Sequence, residues 1–104
     1  MKVIQALFFY VLIAAALVSC AGTPPKDEYV LTYTALENAK RAQADKLESK
    51  LSYQANKLYE KALNFYQERN YDKAREYFIK SRFLAEKAEE RARIKKYKSG
   101  EIVL

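Results

Sequence analysis

The residue with the most distinctive chemistry in this chain is its single cysteine, Cys20. One cysteine cannot form a disulfide within the chain, so the thiol offers no internal crosslink. The 104 residues include no histidine, which leaves acid–base chemistry to carboxylates, lysines and tyrosines. The carboxylates follow helical charge patterns, and Glu89-Glu90 is flanked by Arg91 and Arg93 instead of further oxygen ligands. The sequence therefore predicts neither an enzyme nor a metal site.

Cys20 closes an apolar run that begins at Val3 and is interrupted only by Gln5. A basic residue, Lys2, precedes the run, and small residues gather near its end, which is the anatomy of an export signal. Its last four residues resemble the lipobox of bacterial lipoproteins: Leu17, Val18, Ser19 and Cys20. An uncleaved anchor is the alternative, although the run is shorter than the roughly 20 apolar residues of a typical membrane span.

The lipobox resemblance implies a covalent lipid and no other cofactor. The signal peptide (residues 1–19) would be removed, a diacylglycerol would be attached to the Cys20 thiol, and its new amino group would be acylated. Two or more acyl chains anchor a protein stably in a membrane. By the sorting rule of such lipoproteins, Ala21 rather than Asp directly after the cysteine implies the outer membrane, with the chain facing the periplasm. The inner membrane and the cell surface stay open as alternatives.

The rest of the chain is predicted to be a tether followed by one small all-α domain. Residues 20–26 contain the lipidated cysteine and a Pro-rich tether, residues 27–98 the domain, and residues 99–104 a C-terminal tail. No Gly or Pro lies between Lys26 and Ser99, which favours helices throughout. We expect two to three antiparallel helices at about 27–48, 52–68 and 72–98, with Asn70 in the left-handed conformation between the last two.

Apolar residues recur at helical spacing in all three segments and predict the buried faces. The first face contains Tyr29, Tyr33, Leu36, Ala39 and Ala42. The second contains Leu47, Leu51, Ala55, Leu58, Ala62 and Phe65. The third contains Ala74, Tyr77, Phe78, Ser81, Leu84, Ala85, Ala88 and Ala92.

The last two helices resemble a tetratricopeptide hairpin. The matching positions are Leu58, Ala62, Phe65, Tyr71, Ala74, Phe78 and Ser81, whereas Lys61 and Glu86 depart from the repeat pattern. A single repeat cannot cover its own apolar face, so the first helix or a second copy of the chain must do so. Together, lipobox, tether and hairpin resemble small bacterial envelope lipoproteins with a repeat-like helical domain, a family that brings no catalytic residues.

Two sets of residues are candidates for binding. Tyr59, Tyr66 and Tyr77 either line the core or form an aromatic groove for a protein partner. The second set is basic and lies near the predicted end of the last helix: Arg91, Arg93, Lys95, Lys96 and Lys98. These residues either place favourable positive charge at a helix C-terminus or contact peptidoglycan or anionic lipid. All of the basic excess lies in residues 69–104, with eleven basic and six acidic groups. The export signal argues against nucleic acid as the partner for this charge.

These observations predict a membrane-anchored lipoprotein that acts as a non-enzymatic helical interaction module in the cell envelope, through an envelope protein partner. The alternative is a direct binder of peptidoglycan or anionic lipid through residues 91–98. Homo-oligomerisation stays open, because a second copy of the chain is one way to cover an incomplete repeat.

Overall fold

A computed structural model of the chain describes residues 1–19 and 22–100. These residues form five helices and no strand: α1 (Lys2–Ser19), α2 (Lys26–Arg41), α3 (Ala44–Leu47), α4 (Ser49–Gln67) and α5 (Tyr71–Lys98). The prediction of an all-α chain is confirmed for this part. Cys20, Ala21 and residues 101–104 of the predicted tail lie outside the described residues.

Within the described part of the chain, helix α1 stands apart from α2, α3, α4 and α5 and packs against none of them. The side chains of residues 3 and 4 and of residues 7 to 13 are large, apolar and exposed. Among the described residues, no helix has both the length and the apolar character needed to cross a membrane.

Helix α5 is the central element of the folded body, because α2 and α4 both pack along it. Helix α4 runs antiparallel to α5: Ala62 shares a buried cluster with Ala74, whereas the start of α4 lies beside the end of α5. Helix α2 runs parallel to α5 and contacts it more extensively than it contacts α4. A cleft therefore separates α2 from α4.

Alanine forms most of the core. Every alanine between Lys26 and Gly100 is at most 5% exposed: Ala35, Ala39, Ala42, Ala44, Ala55, Ala62, Ala74, Ala85, Ala88 and Ala92. Among the described residues, Phe78 is the largest fully buried side chain. Small side chains at the contacts allow helix backbones to approach each other closely, so the body is held together by tight packing of helix backbones and methyl groups.

Two buried hydroxyls join the helices across these contacts. The Ser81 hydroxyl of α5 donates to the Ala55 carbonyl of α4 at 2.6 Å. The Thr32 hydroxyl of α2 donates to the Phe78 carbonyl of α5 at 2.9 Å. Both acceptors are helix backbone carbonyls, which a side chain reaches only where the two helices lie close together. Each bond contributes about 1 kcal/mol.

The predicted first helix, 27–48, is wrong in its length. Helix α2 ends at Arg41, Gln43 takes a left-handed conformation with φ of 62°, and the single turn α3 follows before α4 begins. Neither Gly nor Pro marks this break, which is why it is not visible in the sequence. The predicted buried face of this helix also shifts: Thr32 and Ala35 are buried, whereas Tyr29 and Tyr33 are 38% and 51% exposed.

The turn between α4 and α5 lies where it was predicted, but Asn70 is not its left-handed residue. Arg69 has a φ of 62°, and Asn70 has a φ of −87°. The Asn70 amide donates to the Phe65 carbonyl and the Arg69 amide to the Tyr66 carbonyl, at 2.9 Å and 3.1 Å. This pair of bonds is a Schellman motif, which requires the left-handed residue one position earlier than predicted.

Because α2, α4 and α5 meet through methyl groups, a larger side chain at the shared contact should destabilise the folded body. Ala85 is fully buried in a cluster with Ala35 and Ala55, one residue from each of the other two long helices. We expect Ala85→Leu to lower the free energy of unfolding by about 1–3 kcal/mol, measured by urea denaturation followed by circular dichroism. The control is Lys87→Leu at an exposed site of the same helix. Equal stability of the two variants would contradict close packing at this position.

Candidate functional site

The predicted lipidation motif lies at the end of α1. Leu17, Val18 and Ser19 are the last three residues of that helix. Cys20 follows directly in the sequence and lies outside the described residues. The motif thus overlaps the end of an apolar helix and is followed, after a few residues, by the folded body.

The folded body begins at Pro25, within the segment predicted as a tether. Pro25 is fully buried and precedes the first residue of α2. The Arg75 guanidinium of α5 holds this end in place, since it pairs with the Glu28 carboxylate at 3.2 Å and donates to the Thr23 carbonyl at 3.4 Å. Only the four residues Ala21–Pro24 lie between Cys20 and the buried proline, and the five residue steps from Cys20 to Pro25 reach at most about 17 Å.

Tyr59 and Tyr66, two of the three residues predicted to form an aromatic groove, lie together at the border between α2 and α4. The ring of Tyr29 on α2 contacts both of them, with centroid distances of 6.3 Å in each case. The buried ring of Phe78 lies beneath, 5.9 Å from Tyr59 and 6.4 Å from Tyr66. These two tyrosines therefore both line the core and face the cleft between α2 and α4.

The cleft between α2 and α4 has an apolar and a polar section. Tyr29, Leu63, Tyr66 and Gln67 line the apolar section, with a volume of about 330 Å³. The polar section has about 230 Å³ and contains the hydroxyl of Ser52, which is buried and has no hydrogen-bond partner among the described residues. The polar section is lined by Leu36, Glu37, Ala39, Lys40, Asp45, Ser52, Ala55, Asn56 and Ala85.

Tyr77 lies apart from Tyr59 and Tyr66, in the groove on the other side of α4, between α4 and α5. Its ring stacks on Phe65 with a centroid distance of 5.3 Å. The ammonium groups of Lys80 and Lys61 lie 5.1 Å and 5.9 Å from the Tyr77 ring centroid. Glu76 accepts a hydrogen bond from Lys80 and raises the pKa of that ammonium group. The three predicted tyrosines thus belong to two different surfaces.

The groove between α4 and α5 continues past Tyr77 as an apolar surface that the sequence reasoning missed. Leu58, Leu84, Ile79 and Phe83 line it together with the Lys80 stem, around a volume of about 430 Å³. Ile79 and Phe83 are 53% and 64% exposed. They are four residues apart on α5, outside the predicted buried face, and this pair of large apolar residues is the signal that identifies the surface.

The basic segment at the end of α5 is divided between paired and unpaired residues. Lys95 pairs with Glu48 at 2.9 Å and donates to the Leu47 carbonyl, which fastens α5 to the start of α4. Arg93 pairs with Glu89. In the described part of the chain, the remaining three residues have no carboxylate partner: Arg91, Lys96 and Lys98. Arg91, Lys95 and Lys98 line a shallow groove with Ile94 and Glu48.

Within residues 1–19 and 22–100, no group of three or more histidine, cysteine or acidic residues lies close enough together to hold a metal ion. The chain has also been compared with known proteins. No family model, curated protein or solved structure matches it.

Tyr59 is expected to make the free energy of unfolding depend on pH in the alkaline range. Burial, reinforced by the neighbouring Tyr29, raises the pKa of the Tyr59 phenol above its usual value near 10. The unfolded chain therefore releases this proton first, so its contribution to stability is complete below about pH 10 and is lost as pH rises above it. We expect Tyr59→Phe to lose less stability than the native chain between about pH 8 and about pH 11.

The measurement is the free energy of unfolding from urea titrations at both pH values. Tyr53→Phe is the matched control, because Tyr53 lies on the same helix and is 63% exposed. If the two variants lost the same amount of stability, Tyr59 would not be the group that couples folding to alkaline pH.

Proposed function

We propose that this chain is a bacterial envelope lipoprotein whose small helical body acts as a non-enzymatic interaction module at a membrane. The observation that carries the proposal is the order of parts along the chain. An apolar helix, exposed over residues 3–13, ends at Ser19, the sequence continues to Cys20 of the motif, and a folded body begins at Pro25. A removable signal and a lipid on Cys20 explain why an apolar helix stands apart from a body with its own core.

The hairpin of α4 and α5 supports the comparison with a tetratricopeptide unit. Its two helices are antiparallel, and small residues lie at their contacts: Ala62, Ala74 and Ser81. Helix α2 covers one side of this unit, which is the role that a neighbouring element plays in a repeat array. Proteins of this type present grooves between helices to protein partners.

The cleft between α2 and α4 is the surface proposed for an envelope protein partner. Its rim contains Tyr29, Tyr59 and Tyr66, and the exposed ring of Tyr33 lies one turn further along α2. Tyrosines are frequent anchors at protein interfaces because the ring buries a large area while the hydroxyl keeps a polar contact. Outer-membrane attachment facing the periplasm would place this cleft within reach of envelope proteins.

Direct binding of peptidoglycan or anionic lipid through residues 91–98 is a second candidate function. Arg91, Lys96 and Lys98 lack carboxylate partners among the described residues, so their charge is available to an anionic surface. Ile94 and Tyr97, at 41% and 54% exposed, supply apolar contact beside them.

The lipid anchor is tested at Cys20. We expect cells fed with labelled palmitate to incorporate label into the native chain and not into Cys20→Ser, since only a thiol forms the thioether to diacylglycerol. Ser19→Ala is the control, because alanine is another small residue and keeps the motif intact. Undiminished labelling of Cys20→Ser would overturn the proposed lipoprotein.

The protein partner is tested by crosslinking in cells. A photoreactive amino acid in place of Tyr33 should capture one defined envelope protein, and the crosslink should weaken at least about tenfold in Tyr66→Ala, as expected on loss of an interface anchor. The matched control replaces Tyr53, an exposed tyrosine on the outer side of α4. Identical products from both positions would contradict a partner in the α2–α4 cleft.

A further inference from the structure

The side of the body that carries the α4–α5 groove combines apolar and basic residues over a long distance. The groove begins at the Phe65–Tyr77 stack, continues through Leu58, Leu84 and Phe83, and is followed on α5 by the shallow groove around Ile94. From Tyr77 to Lys98 this path along α5 measures about 32 Å. Helix α2 is bonded to the other side of α5, through Thr32 and Glu28, and leaves this path open.

Positive charge follows the same path. Six basic residues contact the stacked rings or line the two grooves: Lys61, Lys73, Lys80, Arg91, Lys95 and Lys98. Two acidic residues accompany them, and both are already paired, Glu76 with Lys80 and Glu48 with Lys95. Beyond Phe83, Glu86 and Glu90 mark the edge of the basic region.

We propose that this surface, the α4–α5 groove together with the basic end of α5, lies flat on an anionic phospholipid bilayer. Exposed aromatic and aliphatic side chains flanked by lysines are the pattern of helices that lie in the interface between water and lipid. The ammonium groups of Lys61 and Lys80 lie at the Tyr77 ring. From there these long side chains can extend their charged ends to phosphate groups while the ring and the lysine stems contact the lipid.

The short connection to the N-terminal region favours a bilayer over another occupant. Pro25 is buried, and only Ala21–Pro24 separate it from Cys20, so this end of the body stays within about 17 Å of a membrane that holds the N-terminal region. This end of the body lies at the same end of α5 as Tyr77, because Arg75 bonds Thr23 and Glu28. A bilayer is therefore present at high effective concentration. The proposal rests on the proposed membrane attachment.

The orientation has a consequence for the α2–α4 cleft. With the α4–α5 groove on the lipid, Val30 on the outer side of α2 faces away from the bilayer, and the tyrosine cleft stays accessible to a protein. The body would thus use the α4–α5 groove to fix its orientation on the membrane and the α2–α4 cleft to bind a protein.

The chain contains no tryptophan, so a single introduced tryptophan reports its own surroundings. Phe83→Trp places the reporter in the groove and Val30→Trp places it on the outer side of α2; the native residues are 64% and 57% exposed. The full chain is reconstituted, with its own N-terminal region, into vesicles of brominated phosphatidylcholine and phosphatidylglycerol. We expect bromine to quench Phe83→Trp at least about twofold more than Val30→Trp.

Removal of positive charge from this surface should release it from the anionic bilayer. We expect the quenching difference between the two tryptophan positions to disappear in a variant that combines Lys73→Gln, Lys80→Gln and Arg91→Gln. The reason is that each cation near an anionic surface contributes about fivefold to the membrane-bound population. The matched control removes three cations elsewhere, with Lys40→Gln, Arg41→Gln and Lys46→Gln. Pure brominated phosphatidylcholine should also abolish the difference. Circular dichroism confirms equal helix content in all variants.

Three results would overturn the proposal: equal quenching at both positions in the anionic vesicles, a quenching difference that persists in neutral vesicles, or a quenching difference that survives loss of the three groove cations. Capture of a protein by a photoreactive residue at position 83, without selective quenching, would identify the groove as a protein site instead. Flotation of the vesicles tests the membrane attachment separately from the orientation of the body on the membrane. A chain that does not float with them refutes the membrane attachment itself, whereas a floating chain without selective quenching refutes only the orientation.

Discussion

The close approach of α2 and α4 to α5 depends on side chains no larger than a methyl or hydroxyl group at the places where the helices meet. Alanines supply most of these contacts, and Ser81 and Thr32 use the short distance to bond carbonyls of the facing helices. A body this small has little apolar volume to bury, so tight contact between helices replaces a thick core of large side chains.

The alanine contacts also decide where the large side chains go. When helices meet through methyl groups, rings and long aliphatic chains cannot fit between them and move to the borders. Tyr59 and Tyr66 line one border, between α2 and α4, and Tyr77 with Phe65 lines the other, between α4 and α5. Phe78 is the exception that fills the core. Both candidate binding surfaces are therefore a consequence of the same packing.

The two surfaces differ in charge, which is why we propose a different partner for each. The α2–α4 cleft has a tyrosine-rich apolar section, and the α4–α5 groove continues into a row of lysines and arginines. Ion pairs hold the ends of the body: Arg75 fixes the start of α2, and Lys95 fixes the start of α4. A lipid at Cys20 would act through the first of these ends, where the connection is short.

The sequence by itself determined the helical class and the buried face of α5, because alanine, serine and phenylalanine recur there at helical spacing without a Gly or Pro. It also contains the Cys20 motif, whose lipidation stays a prediction. Only the tertiary structure decided that α2 stops at Arg41, that Arg69 and not Asn70 is left-handed, and that the three tyrosines divide between two grooves. The physical reason is that periodicity gives the direction of each side chain from its own helix, whereas a groove depends on which helices become neighbours. Helix α2 packs along α5 more than along α4, although α4 is the next long helix in the sequence. Contacts between residues distant in the sequence decide this arrangement.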